Sequence, residues 1–220
     1  MNNEGLHGMV ERCATISLTA GLHKVYITGF QAGGGVGMEA TYSGPDTGGN
    51  RIFMRSGTIP SATVTTPKYY PKCDPTAGMP EAGFTVCMFR SEVWLSQTPD
   101  LGNADTGLNR LYFVGKGTAP TVDLRDYGTI LAVVPDVPDV NYAWAIYGTL
   151  PIASAGLYTL CITSDDGCGG RAAAPSRLSR ARRRGEGSGG RSVGNTLVDG
   201  SMTTPRFDQK ILQSSLTIIG

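Results

Sequence analysis

Hydrophobic and polar positions alternate over short stretches of this chain, as they do in half-buried β-strands. Ile16 and Leu18 fall on one face of a predicted strand, and Val25 and Ile27 fall on one face of the next. A turn at residues 19–21 separates the two. A glycine-rich stretch then leads to a third strand at residues 38–42, which a loop at residues 43–50 follows.

The second half of the chain repeats this pattern. Strand candidates lie at residues 84–89, 110–114, 130–134, 142–147 and 157–163, and we find no amphipathic helical pattern before residue 170. The small-residue turn at residues 154–156 resembles the one at residues 19–21, and each is typical of a hairpin. Glycine-rich turns between short apolar runs therefore predict an all-β fold.

Two segments interrupt the strands and divide the chain. Residues 56–83 are rich in Pro, Thr, Gly and Ser, which predicts an extended linker between residues 1–55 and residues 84–167. Residues 168–220 are predicted to be an irregular basic tail. Its first part, residues 168–194, places arginines among Gly, Ser and Ala, a composition typical of disorder.

The net charge of +1 conceals an asymmetry between body and tail. Residues 1–170 carry 10 Lys+Arg and 15 Asp+Glu, hence −5, and residues 171–220 carry 9 and 3, hence +6. Without interleaved aromatic residues, this basic run does not predict a nucleic-acid partner. No run of 18 apolar residues predicts a membrane span, and the N-terminus lacks the basic start and apolar stretch of a signal peptide.

The five cysteines favour disulfides over a metal site. They form no CxxC pair, and His7 and His23, which we expect to bond to the backbone, are the only histidines. Cys73 and Cys87 bracket the end of the predicted linker. A disulfide between them would close a loop of about 15 residues and contribute about 3 kcal/mol. Disulfides favour a secreted parent protein.

Candidate chemistry concentrates at Asp165 and Asp166, which end an apolar run and precede a glycine. Adjacent carboxylates repel each other, so a fold that fixes them usually supplies a cation. The chain contains no Gly-x-Ser-x-Gly and no HExxH motif, and we expect no enzymatic activity. The tryptophans, Trp94 and Trp144, are expected in the core.

Several segments together resemble the PA14 domain family. Residues 142–148 (YAWAIYG), 155–158 (AGLY) and 164–167 (SDDG) resemble its first half, whereas residues 3–8 (NEGLHG), 18–23 (LTAGLH) and 34–39 (GGVGME) resemble its second half. The order of the halves is inverted. The chain is therefore either a window across two tandem repeats or one repeat with a permuted connection.

The resemblance implies an antiparallel β-sandwich or barrel with a Ca²⁺ site. Asp165 and Asp166 would bind the ion, often across a cis peptide bond, and Asp46 or Asn50 would complete the site with hydroxyls of a bound sugar. In other members such aspartates only accept backbone hydrogen bonds. If the strands of Cys13 and Cys161 are neighbours in this arrangement, the two residues form either a cross-strand disulfide or two buried thiols.

The expected function is that of a binding module in a secreted or cell-surface protein. Its ligands would be glycans or other cell-surface molecules, bound through calcium. One alternative is a structural or adhesion repeat without a ligand. Another is an accessory domain of a glycosidase.

Overall fold

Short strands dominate the described part of the chain. The computed structural model describes residues 1–57, 73, 83–101, 104, 110–169 and 217–219. The strands in these ranges are β1 (Asn2–Asn3), β2 (Val10–Leu18), β3 (Gly21–Gln31), β4 (Gly37–Ser43), β5 (Ile52–Phe53), β6 (Phe84–Ser91), β7 (Leu111–Ala119), β8 (Asp123–Leu124), β9 (Tyr142–Ile152), β10 (Gly156–Asp165), β11 (Cys168–Gly169) and β12 (Thr217–Ile219). A 3₁₀ turn spans Pro45–Thr47 and helix α1 spans Tyr127–Val133.

The strands form two antiparallel sheets. The large sheet has the order β1-β11-β3-β9-β6-β7, with β12 also paired to β3, and the small sheet has the order β2-β10-β4-β5, with β8 also paired to β4. The predicted all-β sandwich is therefore confirmed. Within the described ranges, no helix has the length and apolar character needed to cross a membrane.

The two predicted half-domains build both sheets together. Strand β3 pairs with β9 along its whole length, from Gly21 opposite Ile152 to Gln31 opposite Tyr142. Strand β10 lies between β2 and β4 in the small sheet. Residues 1–55 and residues 84–167 thus meet within one unit of the structure.

A hydrophobic core fills the space between the sheets. In β9, alternate residues such as Trp144 and Ile146 belong to this core, whereas Ala143, Ala145 and Tyr147 belong to a second cluster on the outer face of the large sheet. Leu95, Leu101 and Cys73 from the connecting segments help cover that outer face. Both faces of β9 are buried, so its sequence is almost continuously apolar.

The small-residue turns connect the two sheets. Strand β2 belongs to the small sheet and β3 to the large one, and β9 and β10 are divided in the same way. Interpreting residues 19–21 and 154–156 as hairpin turns was therefore wrong. A small-residue turn followed by an apolar strand carries no information about which partner the strand finds, because pairing is decided by distant segments.

Residues 127–133 form a helix, although the sequence predicted no helix here and a strand at residues 130–134. Asp126 caps the helix, since its side chain accepts a hydrogen bond from the Thr129 N–H at 2.8 Å, and the Thr129 side chain bonds back to the Asp126 backbone. Only Ile130 of the helix is buried. Seven residues provide too few apolar positions for helical periodicity to be recognised.

Both cysteine pairs form disulfides. Cys13 and Cys161 are joined across β2 and β10 with a Cα–Cα distance of 4.1 Å, and Cys73 and Cys87 are joined at 6.0 Å. Cys73 is fully buried, and most of the remaining predicted linker lies outside the described residues.

The predicted irregular tail contains two short strands. Residues 168–169 pair with β1 and β3, and residues 217–219 pair with β3, which satisfies backbone groups along the edge of β3 that faces away from β9. Segments of two or three residues are too short to show an alternating pattern. The arginine-rich part of the tail lies outside the described residues.

Candidate functional site

The aspartate pair lies where β10 leaves the small sheet. Asp165 is opposite Gly37, the first residue of β4, and Ser164 is opposite Val10, the first residue of β2. The loops that precede these two strands, residues 4–9 and residues 32–36, therefore reach the same end of the sandwich as the pair. The Asp165–Asp166 peptide bond is cis.

Asp166 connects the two loops through its carboxylate. Oδ1 accepts a hydrogen bond from the His7 N–H at 3.1 Å, and Oδ2 accepts one from the Ala32 N–H at 2.9 Å. The Asp166 N–H donates to Gln31 Oε1 at 3.2 Å, and Gln31 Nε2 donates to the Gly35 carbonyl at 2.6 Å. Since Asp166 is 4% exposed, these charge-assisted bonds fix the relative position of both loops.

Asp165 has a different environment, although its neighbour is Asp166. It is 9% exposed, yet no described residue donates a hydrogen bond to its carboxylate. Burial raises the pKa of Asp165, the charge of Asp166 raises it further, and His7 acts in the opposite direction. A buried carboxylate that accepts no hydrogen bond is costly unless a nearby positive charge, a proton or a bound cation compensates it.

Two glycines leave room around the Asp165 carboxylate. A Cβ atom at Gly35 would lie 2.6 Å from Asp165 Oδ2, which is closer than any ordinary contact. A Cβ atom at Gly8 would lie 4.0 Å from the same oxygen, which is a normal van der Waals distance. The glycine-rich loop therefore approaches this oxygen with bare backbone, and Gly35 is the position where a side chain would displace it.

The histidines bond to backbone carbonyls, as predicted. His7 Nδ1 lies 2.8 Å from the Gly8 carbonyl oxygen and Nε2 lies 2.8 Å from that of Asn3. His23 Nε2 lies 2.8 Å from the Thr19 carbonyl oxygen. Each histidine therefore holds nearby backbone in place, in keeping with a structural role.

Asp46 and Asn50 do not join the pair. Their loop follows Ser43, which is opposite Thr159, and Pro45 packs on Gly156 at the start of β10. Asp165 ends the same strand nine residues later, which corresponds to about 30 Å. The prediction that this loop completes the aspartate site therefore needs correction, because the loop lies at the opposite end of β10.

The Asp46 loop is held by local contacts of its own. Asp46 Oδ2 accepts a hydrogen bond from the Ala153 N–H at 3.2 Å, and Oδ1 is buried without a hydrogen-bond partner among the described residues. Asn50 Nδ2 donates to the Thr47 carbonyl at 3.3 Å. The residues that surround Asp165 come from the loops before β2 and β4, whereas the loop after β4 was predicted to complete the site.

Trp94 is exposed beside the aspartate site. Its side chain is 64% exposed, so its predicted place in the core was wrong, whereas Trp144 is 2% exposed, as predicted. A Cβ atom at Gly33 would lie 3.2 Å from Trp94 Cη2, so the indole lies against the loop of residues 32–36. The absence of an alternating pattern around Trp94 is a sequence signal against a core strand.

The segment that carries Trp94 is anchored on both sides. Asn141 Oδ1 accepts from the Leu95 N–H at 2.9 Å, and Asn141 Nδ2 donates to the Ser91 carbonyl at 2.9 Å. Glu4 Oε2 accepts from the Thr98 N–H at 2.9 Å. These bonds hold an exposed aromatic ring in place against the same glycine-rich loop that approaches Asp165, an arrangement suited to a ligand with both polar and apolar faces.

The ligand set at the aspartate pair consists of oxygens. Within the described ranges, the one convergent group of three His, Cys, Asp or Glu side chains is Glu11, Cys13 and Cys161, on another part of the small sheet. At the pair, a cation would bind the two carboxylates, and backbone carbonyls and solvent would complete its coordination. Hard cations such as Ca²⁺ accept such a set of oxygen ligands.

The comparisons with known proteins returned no relatives. No protein-family model matches the chain, and neither the curated proteins nor the solved structures gave a match. The case for a function therefore depends on the residues and their geometry.

Proposed function

We propose that the chain is a PA14-like binding module of a secreted or cell-surface protein, and that it binds carbohydrate through Ca²⁺ at Asp165 and Asp166. The observation that carries this proposal is the Asp165 carboxylate, which is 9% exposed and accepts no hydrogen bond from a described residue. A second carboxylate adjoins it. A divalent cation would remove both the repulsion and the cost of the buried charge.

The residues at the pair fit calcium. Ca²⁺ binds six to eight oxygens at about 2.3–2.6 Å and accepts carboxylates together with backbone carbonyls. Asp165 has both carboxylate oxygens free of hydrogen bonds from described residues, and each Asp166 oxygen retains a lone pair beyond its one backbone bond. When bound, the ion would offer positions to neighbouring hydroxyl groups of a sugar.

Trp94 supports a carbohydrate ligand. Sugars present hydroxyls at their edges and C–H groups on their faces, and binding sites combine a few fixed polar groups with apolar or aromatic walls. The exposed indole provides such a wall next to the glycine-rich loop, and the bonds of Asn141 and Glu4 hold its segment in place. The two disulfides are in keeping with an extracellular site.

One observation favours the second candidate, a structural or adhesion repeat without a ligand. Both oxygens of Asp166 already accept backbone hydrogen bonds and connect two loops. On this interpretation Asp166 is a loop anchor, and Asp165 takes up a proton instead of a cation. The two candidates thus differ in what neutralises Asp165.

Calcium titration separates the two candidates. We expect Ca²⁺ to raise the melting temperature of the protein, because a ligand that binds the folded state at about 100 times its Kd stabilises it by about 2.7 kcal/mol. Mg²⁺ should act more weakly, and Asp165→Asn should remove the response. A glycan array probed with and without Ca²⁺ then identifies the sugar. A melting temperature that calcium leaves unchanged, with no glycan bound, would favour the structural repeat.

A further inference from the structure

A second cluster of metal-ligand side chains lies on the outer face of the small sheet. Cys13 and Cys161 are directly opposite each other in the pairing of β2 with β10. Glu11 lies two residues before Cys13 and therefore on the same face of β2. Cys13 Sγ lies 3.5 Å from Glu11 Oε1, and one ligand atom from each of the three residues lies within 4.8 Å of the others.

We propose that reduction of the Cys13–Cys161 disulfide opens a site for a soft divalent cation, Zn²⁺ or Cd²⁺, bound by the two thiolates and the Glu11 carboxylate. Thiolates select such metals, and zinc accepts a mixed set of sulfur and oxygen ligands in a tetrahedral arrangement. Three protein ligands leave the fourth position to water. This proposal is independent of calcium and carbohydrate binding at the aspartate pair.

Reduction of the Cys13–Cys161 disulfide requires a thiol reductant. A dithiol transfers two electrons and two protons, so that the Cys13–Cys161 S–S bond breaks, two S–H groups form, and the dithiol becomes a disulfide. The metal ion then replaces the two thiol protons, which are released to solvent. The oxidised protein lacks thiolate ligands at this position, so the metal can bind only after the disulfide has been reduced.

The sheet keeps the three ligands together after reduction. Nine residue pairs join β2 to β10, and β4 supports β10 from the other side. Cys13 and Glu11 are exposed, so both reductant and metal reach the site from solvent. Backbone pairing therefore fixes the facing positions of the two cysteines whether or not their sulfurs are bonded.

Two neighbouring side chains, Arg51 and Thr163, contact the Glu11 carboxylate. Arg51 forms an ion pair with Glu11 and donates to Thr41 Oγ1 at 2.7 Å. A bound metal would compete with Arg51 for the Glu11 carboxylate. Thr163 Oγ1 donates to Glu11 Oε2 at 3.4 Å, which orients the carboxylate.

The remaining cysteines provide internal controls. Cys73 and Cys87 are joined in a fully buried disulfide, and Cys168 is a buried thiol whose pKa is raised by burial. In the described part of the chain, none of these three belongs to a convergent group of metal-ligand side chains. A metal signal that depends on Cys13 and Cys161 is therefore assignable to the outer face of the small sheet.

Cobalt binding to the reduced protein tests the proposal. The full chain is reduced with a phosphine under anaerobic conditions, the reductant is removed, and Co²⁺ is titrated while the thiolate-to-cobalt charge-transfer absorption is recorded. We expect a band that saturates at one equivalent, disappears on addition of Zn²⁺, and is absent from the oxidised protein. A reduced protein without the band would overturn the proposal.

Three variants locate the site. Cys13→Ser should abolish the band, Cys73→Ser with Cys87→Ser should retain it, and Glu11→Gln should weaken cobalt affinity by about tenfold. An undiminished band in Cys13→Ser would place the metal elsewhere, and unchanged affinity in Glu11→Gln would overturn the three-ligand set. Should the double variant fail to fold, the two single variants still decide the question.

Discussion

Strand β10 runs between two ends of the sandwich, and the carboxylates at these ends differ in their hydrogen bonds. At the Gly156 end, Asp46 is a single carboxylate: Oδ2 accepts a hydrogen bond from the Ala153 N–H, and Oδ1 is buried without a partner among the described residues. Gly44 packs closely against the Tyr158 ring at this end. At the other end two carboxylates adjoin, and Asp165 accepts no hydrogen bond from a described residue. The first end thus carries one carboxylate with one backbone hydrogen bond, whereas the second carries two adjacent carboxylates, of which Asp166 accepts two backbone bonds and Asp165 accepts none from a described residue.

This difference separates a structural aspartate from a candidate ligand. A carboxylate whose oxygens bond to backbone N–H groups stabilises the loops that carry those groups. A buried carboxylate that lacks such bonds lowers stability, and such groups concentrate at functional sites. Asp166 and Asp165 show both cases in consecutive residues, so each can be tested against the other and against Asp46.

The largest effect is expected from Asp166→Ala. It removes both bonds that connect residues 4–9 with residues 32–36 and leaves the His7 and Ala32 N–H groups without this acceptor. We expect a loss of about 3 kcal/mol in the free energy of unfolding, measured by urea denaturation. Asp46→Ala removes one backbone bond and should cost about 1 kcal/mol. Equal losses would mean that Asp46 and Asp166 stabilise their ends of the sandwich to the same extent.

A matched pair of glycines sharpens the comparison at the proposed calcium site. In Gly35→Ala the new methyl group would lie 2.6 Å from Asp165 Oδ2 and displace it, whereas in Gly8→Ala it would lie at 4.0 Å. We expect Gly35→Ala to lose most of the calcium stabilisation of about 2.7 kcal/mol at 100 times the Kd, and Gly8→Ala to keep it. Melting temperatures with and without Ca²⁺ measure both. Equal calcium responses would show that the ion does not use this oxygen.

The sequence predicted the strands better than their partners. Local alternation located most long strands, including the β3 and β9 segments that pair along their whole length. It did not show that consecutive strands β2 and β3 belong to different sheets, because sheet membership depends on contacts between distant residues. Helix α1 was missed because its two turns carry too few apolar positions, although Asp126 and Thr129 fit a capping box.

The candidate site was predicted only in part. Asp165 and Asp166 were recognisable because adjacent carboxylates at a strand end are unusual, but their surroundings were not. Asp46 was chosen from its position in a loop, and the sequence does not show which end of a sandwich a loop occupies. Trp94 was placed in the core because tryptophan is usually buried, yet it is 64% exposed.

Without calcium, Asp165→Asn should have a smaller effect on the free energy of unfolding, and the pH dependence of this effect has a defined sign. Since burial raises the folded-state pKa of Asp165, the folded protein binds its proton more tightly than the unfolded chain does. Wild-type stability should therefore fall as the pH rises from the ordinary carboxyl range through the raised pKa, and this fall should be absent from Asp165→Asn.

Urea denaturation across this pH window tests the expectation. The variant should be more stable than the wild type at neutral pH without metal, and the order should reverse in saturating Ca²⁺. An Asp165→Asn protein that is less stable than the wild type at neutral pH without metal would indicate that Asp165 has a stabilising partner. In that case Asp165 and Asp166 would both act structurally.

The smallest effect on stability is expected from Trp94→Ala. Because the indole is 64% exposed, its removal should change the free energy of unfolding by only about 0.5 kcal/mol and leave calcium stabilisation intact. Glycan binding should nevertheless be lost, since the ring would form the apolar wall of the proposed sugar site. Val93→Ala is a matched control, because Val93 is a neighbouring exposed apolar residue, and it should retain binding. Binding to a glycan array in Ca²⁺ measures both variants.

Loss of glycan binding with an unchanged calcium response would separate recognition of the sugar face by Trp94 from ion binding by Asp165. Full binding by Trp94→Ala would remove the aromatic wall from the proposed site.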